Sequence, residues 1–252
     1  DALVDLRRAG LTRIDHRGAA GLTVGAMATC NALRRSLAAG GAGEQGTAAG
    51  ALHEALDSLA SRVLRNHITV GGNCVMAYAW SDLPVALSCL EARFTLRGPD
   101  GERTLAADEL FERHPSRSLG PAELMTAVHV PAAADRSGSA YAKLTHNAGD
   151  HAVASVAAAV TLDADGRTVR TARVLVGGVR ALPQRMDRAA EAVTGSPMDG
   201  SAADAAGRAA AEAVKVAGDF RGSADYRRAL VGTLTADALL RASRRAARGG
   251  AA

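Results

Sequence analysis

Aromatic residues are scarce in this chain: they make up 3% of its 252 residues, whereas 48% of the residues are hydrophobic. A chain of this length can bury a substantial core, but that core has to be built mainly from Ala, Val and Leu, with closely approaching backbones. The sequence therefore predicts mixed packing of helices and sheet, α/β or α+β, in one large domain or two smaller ones.

Cysteine is also sparse. Cys30, Cys74 and Cys89 are widely spaced and form no C-x-x-C pair, so neither a disulfide framework nor an iron–sulfur or zinc site is indicated. We expect three buried thiols that serve as small hydrophobic side chains in a reducing cytoplasm.

Long apolar runs and clustered positive charge are missing as well. No apolar run reaches about 18 residues and no signal-peptide pattern opens the sequence, so we expect a soluble cytoplasmic protein without a membrane span. The formal charge of +4 and the pI near 9.3 come mostly from dispersed arginines. Because basic runs interleaved with aromatic residues are lacking, nucleic-acid binding is not indicated.

Recognisable catalytic groups are lacking too. His67, His146 and His151 have neither a carboxylate nor a cysteine at a catalytic spacing, and we expect them, with Tyr78, to pack or to lie at the surface. The sequence predicts no catalytic side chain and no metal ligand.

What the chain does contain is the segment LRNHITVGGNC at 64–74, followed by Ser-Asp-Leu-Pro at 81–84. Gly71 and Gly72 come directly after a β-branched run, which predicts a strand-like segment that turns sharply. Without Cβ atoms, the backbone N–H groups of such a turn can approach a phosphate. A bare tight turn has the same pattern, and on these residues alone both interpretations stay open.

Two kinds of pattern divide the chain. Up to Pro131, helical and strand-like segments alternate, and a helix from Leu52 to Val63 is predicted to lead into the Gly-Gly turn. The small and polar residues 132–139 follow as the best linker. Beyond them we predict strands at 141–144, 152–163 and 169–177, and then Ala-rich helices at 188–194, 202–217 and 224–248. The expected architecture is an α+β fold with two domains, residues 1–131 and 139–250.

The pattern Arg-Asn-x-x-Thr-x-Gly-Gly-Asn, followed by Ser-Asp-Leu-Pro, resembles the second FAD-binding segment of the flavoprotein subunit of molybdenum hydroxylases, the xanthine dehydrogenase and carbon monoxide dehydrogenase group. Segments beyond the linker are similar to the C-terminal domain of the same proteins, namely Lys143 before Gly149-Asp150, Gly177-Gly178-Val179 and Asp225-Tyr226-Arg227-Arg228. The resemblance covers nearly the whole chain. It implies part of a PCMH-type FAD-binding domain, followed by a CO-dehydrogenase-flavoprotein-like domain of antiparallel sheet plus helices.

The resemblance also implies a role for individual residues. Thr69, Val70, Gly71, Gly72 and Asn73 would form the second FAD loop, in which the glycine backbone contacts the pyrophosphate and the Thr and Asn side chains donate hydrogen bonds. Three more residues are implied as cofactor contacts: Asp82 at a ribose hydroxyl, Met125 at the flavin, and Lys143 as a positive charge near the flavin ring. Each has a plainer alternative, respectively a helix N-cap, a core methionine and a solvated strand lysine.

The function that the resemblance implies is electron transfer. Electrons would pass from a molybdenum cofactor in a large subunit to the 2Fe-2S clusters of a small subunit, and from these clusters to FAD in this subunit. It would pass them to NAD, oxygen or a quinone. The alternative is a flavin-free relative, either with a repurposed pocket for another small molecule or as a structural interaction subunit.

Two departures from the family pattern concern the cofactor pocket. The glycine-rich first FAD loop, which in the family precedes these segments, is not found, so we expect only the second lobe of the FAD domain and weak or no FAD binding by these residues alone. Where many members have a small polar or acidic stretch after Gly-Gly-Asn, this chain has Met76-Ala77-Tyr78-Ala79-Trp80. His146-Asn147 likewise replaces a basic pair.

Overall fold

The structure is a computed structural model that describes residues 4–39, 49–147 and 149–249. Within these ranges the chain forms two antiparallel sheets with helices packed against them. The strands are β1 Ile14–His16, β2 Leu22–Gly25, β3 Arg93–Gly98, β4 Gly101–Ala106, β5 Leu124–Val130, β6 Ser137–Leu144, β7 Ala154–Leu162, β8 Val169–Gly177 and β9 Gln184–Arg185. The helices are α1 Cys30–Ala39, α2 Gly50–Ser58, α3 Arg62–Arg65, α4 Val70–Met76, α5 Asp82–Cys89, α6 Ala107–Leu110, α7 Pro115–Ser118, α8 Asp187–Glu191, α9 Gly200–Ala213 and α10 Ala224–Arg248. The predicted α+β class is confirmed.

The first sheet has the strand order β1-β2-β5-β3-β4. Its strands β3 and β4 form a tight hairpin, and β5 ends directly before Pro131, which cannot donate to a strand ladder. Leucines from α1, α2, α5 and α6 fill the core over this sheet. Phe94 and Phe111 meet there edge to face, with ring centroids 5.5 Å apart.

The second sheet has the order β6-β7-β8-β9; α8 and α10 pack on it, and α9 packs against these two helices. Its core consists mainly of Ala, Val and Leu, as the composition predicted. The small side chains let α10 lie very close to β6: a Cβ on Gly138 would come within 2.3 Å of the Ala242 carbonyl oxygen. Such an approach leaves room for glycine alone.

Helices α2 and α5 connect the two sheets, because they belong to the first core and also pack on the second sheet. A third apolar cluster lies at this contact, made of Ala51, Ala55, Val85, Ala86, Cys89, Tyr141, Ala157 and Leu175. A Cβ on Gly177 would lie 2.3 Å from Val85 Cγ2, so α5 approaches β8 closely. Both sheets are thereby held to the same helices.

β6 lies at the edge of its sheet and pairs only with β7. On its outer side the Tyr141 N–H donates to Glu54 Oε2 at 2.7 Å, and Arg241 donates to the Tyr141 carbonyl oxygen at 2.7 Å. Arg245 donates to the carbonyl oxygen of Ser139 at 2.6 Å, and Glu54 pairs with both arginines. Side chains from α2 and α10 thus take the place of a neighbouring strand and block pairing with another chain.

Candidate functional site

The approach to the Gly-Gly segment differs from the single helix predicted for 52–63, which is wrong. α2 ends at Ser58, and Ala60 adopts a left-handed conformation with φ of 45° before α3 begins. Arg65 Nη1 donates to the carbonyl oxygens of Leu59 at 2.6 Å and Ala60 at 2.8 Å. These bonds satisfy carbonyl groups left open at the end of α2 and fix the turn.

The Gly-Gly pair itself lies in the first turn of α4, where a strand and sharp turn had been predicted. Thr69 is the N-cap, with extended backbone, and its Oγ1 accepts a hydrogen bond from the Gly72 N–H at 3.1 Å. The Val70 N–H donates to the Ala28 carbonyl oxygen at 2.9 Å, and the Gly71 N–H to that of Ala26 at 2.8 Å. Capping by Thr69 therefore outweighs the β-branched signal, and α4 is tied to the segment after β2.

The two glycines have different surroundings. Gly71 is buried, and a Cβ there would lie 2.6 Å from Ala26 Cβ and 2.9 Å from its carbonyl oxygen. Gly72 is exposed, and a Cβ there would meet only Thr69 Oγ1, at 2.7 Å. Gly71 is required for packing, whereas Gly72 leaves the surface open for a ligand.

Asn73 completes this surface. Its Oδ1 is buried and has no hydrogen-bond partner in the protein. A buried polar atom without a partner is costly, and a ligand donor would satisfy it. The N–H groups of Val70, Gly71 and Gly72 all donate within the protein, so none of them is the free phosphate donor that was predicted. The Thr69 hydroxyl, the surface at Gly72 without a Cβ and the Asn73 amide are the groups that fit a polar, phosphate-bearing ligand such as FAD.

Asp82 and Lys143 lie together, 61 residues apart in sequence. Lys143 Nζ is 3.0 Å from Asp82 Oδ2, and the side chains are each only 5% exposed. The Tyr141 hydroxyl donates to Asp82 Oδ1 at 2.6 Å. Burial raises the pKa of the Asp82 carboxyl, although Lys143 and Tyr141 act in the opposite direction, and burial with Asp82 raises the pKa of Tyr141 well above its usual value.

Asp82 is therefore neither a side-chain cap of α5 nor open to solvent in the structure. The N-cap is Ser81, and both Asp82 carboxylate oxygens have protein partners. Met125 lies apart from this group, on β5 opposite Leu96 and buried in the first core. The structure thus brings Asp82 and Lys143 together and leaves Met125 in the core.

An aromatic strip lies near these residues, formed by the exposed Tyr78, Trp80, Phe220 and Tyr226. Tyr78 stacks on Trp80 with ring centroids 5.3 Å apart, and the ring centroids of Trp80 and His151 are 4.5 Å apart. Arg221 Cζ is 5.9 Å from the centroid of Trp80 and 5.6 Å from that of Phe220. Since the chain has only one Trp, three Tyr and three Phe, the strip takes most of its aromatic residues.

A buried arginine holds the strip in place. Arg227 is 1% exposed and donates to the carbonyl oxygens of Val153 at 3.0 Å, Ala217 at 2.5 Å and Gly178. Asp219 pairs with Arg227 at 3.1 Å and with Arg221 at 2.5 Å. These contacts join four segments of the chain near Phe220, namely those that contain Val153, Gly178, Ala217 with Asp219, and Arg227. The sequence drew attention to Tyr78 and Trp80 as part of the unusual stretch after Gly-Gly-Asn, but not to Phe220, because a lone Phe in a polar turn carries no periodic signal.

Asp219 gives this cluster a defined pH dependence. Its hydrogen bond with Arg221 is the main cause that lowers the pKa of the carboxyl to about 2. A carboxyl whose pKa is lowered by folding contributes stability that is complete above its unfolded pKa of about 4 and is lost as the pH falls toward 2.

We expect Asp219→Asn to be less stable than wild type at neutral pH, and the difference in unfolding free energy between the two proteins to shrink between about pH 4 and pH 2. Urea unfolding across this range measures it, and a difference that stays constant to pH 2 would contradict it. Asp225→Asn, at a carboxylate 95% exposed, is the control.

The residues that the structure describes also bear on metal binding, cysteine reactivity and membrane spanning. No group of three or more His, Cys, Asp or Glu side chains is placed to hold a metal ion there. The three cysteines are buried and free, as predicted, and burial raises the pKa of the Cys30 and Cys89 thiols to about 12. Among the described helices, none has the length and apolarity needed to cross a membrane.

Comparisons with known proteins match both halves of the chain. Residues 1–133 match the family described as FAD binding domain in molybdopterin dehydrogenase, and residues 139–242 match the CO dehydrogenase flavoprotein C-terminal domain. The carbon monoxide dehydrogenase medium chain of Afipia carboxidovorans is 34% identical over 71% of this chain and 61% of its own length. The 6-hydroxypseudooxynicotine dehydrogenase complex subunit alpha of Paenarthrobacter nicotinovorans is 33% identical over 77% of this chain and 66% of its own. The chain therefore spans less than two thirds of these curated relatives.

Solved structures show the same likeness. A chain of the carbon monoxide dehydrogenase from Hydrogenophaga pseudoflava superposes with a TM-score of 0.83 at 33% identity, over 93% of this chain and 79% of that one. A chain of the reconstituted CO dehydrogenase from Oligotropha carboxidovorans gives 0.82 at 30% identity, with the same coverage. Fold and sequence thus point to the same group of proteins.

Proposed function

Because the chain belongs to the family of FAD-binding domains of molybdopterin dehydrogenases, we propose that it is the FAD-binding electron-transfer subunit of a molybdenum-containing hydroxylase or dehydrogenase. The proposal rests on the family match over the segment that contains the start of α4, where Thr69 caps the helix and Gly72 is exposed. When bound, FAD supplies the redox chemistry, and the protein supplies position and electrostatics. In this proposal the electrons pass from FAD to an acceptor such as NAD, oxygen or a quinone.

We propose graded roles for the predicted cofactor residues. Thr69, Gly72 and Asn73 contact FAD directly, through a hydroxyl, a backbone without Cβ and an amide. Val70 and Gly71 hold α4 to the segment after β2, so that these contacts keep their positions. Asp82 and Lys143 contribute as the buried pair, and Met125 packs behind the site. Residues 1–131 and 139–250 are the two proposed domains.

The proposed partners are an iron–sulfur small subunit and a molybdenum large subunit, in line with the multi-subunit names of the relatives. The described residues hold no group of three or more side chains placed to bind a metal ion, and in this proposal the electrons come from clusters held by the iron–sulfur subunit. A cytoplasmic location agrees with three free, buried cysteines.

The aromatic strip is the surface that we propose for the iron–sulfur subunit. Trp, Tyr and Arg are the residues that most often anchor protein interfaces. Tyr78 comes two residues after the C-terminal end of α4, and the proposed FAD contacts lie at its N-terminal end, about 10 Å away along the helix axis.

Replacing Trp80 and Phe220 together by alanine is expected to weaken assembly at least tenfold, because two anchoring rings are lost. The native assembly, isolated by an affinity tag on the partner, measures how much of this chain stays bound. Leu124→Ala removes a comparably exposed apolar side chain at the start of β5 and serves as the control. Equal retention of both variants would contradict the docking role of the strip.

The flavin content of the native assembly tests the proposed function itself. We expect a flavin absorbance spectrum that corresponds to about one FAD per chain. A complete assembly without flavin would overturn the proposal and favour the flavin-free relative or a structural interaction subunit.

A further inference from the structure

Asn31 is a buried amide that lies outside the proposed FAD contacts. It belongs to the first turn of α1 and is 4% exposed. Its Nδ2 donates a hydrogen bond to Asn66 Oδ1 at 2.7 Å, although 35 residues separate the two in sequence. Asn66 ends α3 as its C-cap, and three residues later Thr69 caps α4. The amide pair therefore joins α1 to the segment that leads into the proposed FAD site.

Arg34 fixes the direction of the Asn31 amide. Its Nε donates to Asn31 Oδ1 at 3.4 Å, and its Nη1 donates to Asp57 Oδ1 on α2 at 3.1 Å. A guanidinium can only donate, so the amide oxygen of Asn31 faces Arg34 and the amide nitrogen is directed to Asn66. An amide held in one orientation holds its partner in one position.

The backbone beside the amide pair forms a short ladder that the pair extends. Residues 28–30 and 68–70 run antiparallel with Thr29 opposite Thr69, and two backbone hydrogen bonds of 2.8 and 2.9 Å join them. The amide pair adds a third link at the end of the ladder nearest to α3. None of the residues of α3 is buried, so apolar packing contributes little to the position of this helix. Polar bonds such as that of Asn31 hold it instead.

We propose that Asn31 is a positioning residue for the cofactor: through Asn66 it holds the segment before α4, so that Thr69 caps the helix and presents its hydroxyl to FAD. The proposal rests on the proposed function, which places FAD at the start of α4. Asn31 acts through Asn66 and not by contact with the cofactor. Loss of the link should therefore disturb the cap and the binding of FAD more than it disturbs the rest of the fold.

Titration of the apoprotein of the native assembly with FAD tests the effect on binding. Asn31→Leu keeps nearly the same size but cannot donate, and Asn66→Ala removes the acceptor at an exposed position that tolerates truncation. We expect each to weaken FAD binding at least fivefold, the loss of about one hydrogen bond, and the double variant to be no weaker than the weaker single one. Ser36→Ala, which removes a 2.7 Å bond between α1 and His16, is the control and should bind like wild type. A loss below fivefold in Asn66→Ala, or losses that multiply in the double variant, would overturn the proposal.

Hydrogen exchange of the Gly72 amide gives a readout that needs no cofactor, because this N–H donates to the Thr69 hydroxyl. We expect Asn66→Ala to accelerate its exchange at least tenfold, while the amide of the buried Leu239 on α10 exchanges as in wild type. Asn66→Asp keeps an acceptor for Asn31 and should restore slow exchange at Gly72. Unchanged exchange at Gly72, or equal acceleration at Leu239, would overturn the positioning role. If wild type holds no flavin but Asn66→Ala still frees the Gly72 amide, the proposed function fails while the role of Asn31 at the cap stands.

Discussion

Valine in place of Gly72 is expected to remove bound FAD while the protein stays folded. Gly72 is exposed, and a Cβ there meets only the flexible side chain of Thr69. A branched side chain at this position displaces the Thr69 side chain, whose Oγ1 accepts from the Gly72 N–H, and so turns the Thr69 hydroxyl away from a phosphate. Hydrogen bonds to charged groups are worth about 1.5–3 kcal/mol each. Loss of the contact from the Thr69 hydroxyl should weaken FAD binding by about 1.5–3 kcal/mol, roughly tenfold to a hundredfold, measured by titration of apoprotein with FAD.

The neighbouring glycine is the matched control. Alanine at Gly71 places its Cβ 2.6 Å from Ala26 Cβ, in a position where the backbone is hydrogen-bonded to Ala26. We expect overpacking to cost about 1–3 kcal/mol of folding free energy. Two adjacent glycines should therefore separate binding from folding. The account is wrong if Gly72→Val unfolds as readily as Gly71→Ala, or if it keeps its flavin.

Methionine in place of Arg227 should cause a large loss of stability. The change leaves the Val153, Gly178 and Ala217 carbonyl groups without their shared donor and takes a counter-charge from Asp219. Breaking a buried, hydrogen-bonded ion pair on one side costs about 3–5 kcal/mol. The free energy of unfolding in urea measures this loss.

Arg228 is the control for this prediction, since it follows Arg227 directly on α10. Its side chain is 40% exposed and pairs with Asp225, which is 95% exposed. Such surface pairs contribute roughly 0–1 kcal/mol, so Arg228→Met should unfold nearly like wild type. Similar losses for the two variants would show that the buried contacts of Arg227 do not stabilise the fold as described.

Features set by local sequence could be predicted. Residues 224–248 have helical spacing, and α10 spans the same residues behind the N-cap Ser223. The strand-like pattern that runs up to Pro131 is β5, which ends at Val130 because Pro131 cannot donate to a strand ladder. The core of Ala, Val and Leu followed from the near absence of aromatic residues. In each case the decisive interactions are short in sequence or follow from composition.

The site could be predicted only in part, because distant contacts decide it. Ile68 and Val70 have strand propensity, but the hydrogen bonds of Val70 and Gly71 to Ala28 and Ala26 place a helix start there. The pairing of Asp82 with Lys143 brings together an α5 residue and a β6 residue. No local sequence pattern predicts such a contact. The position of Phe220 depends on Arg221 and Arg227. These arginines donate hydrogen bonds to carbonyl oxygens on several separate segments of the chain.

The start of α4 is the proposed FAD site, and a structure of the native assembly with its cofactor shows whether FAD binds there. We expect the pyrophosphate to lie against the Thr69 hydroxyl and the Gly72 backbone, with the Asn73 amide hydrogen-bonded to the cofactor. FAD bound elsewhere on the chain, or a different ligand against Thr69 and Gly72, would contradict it.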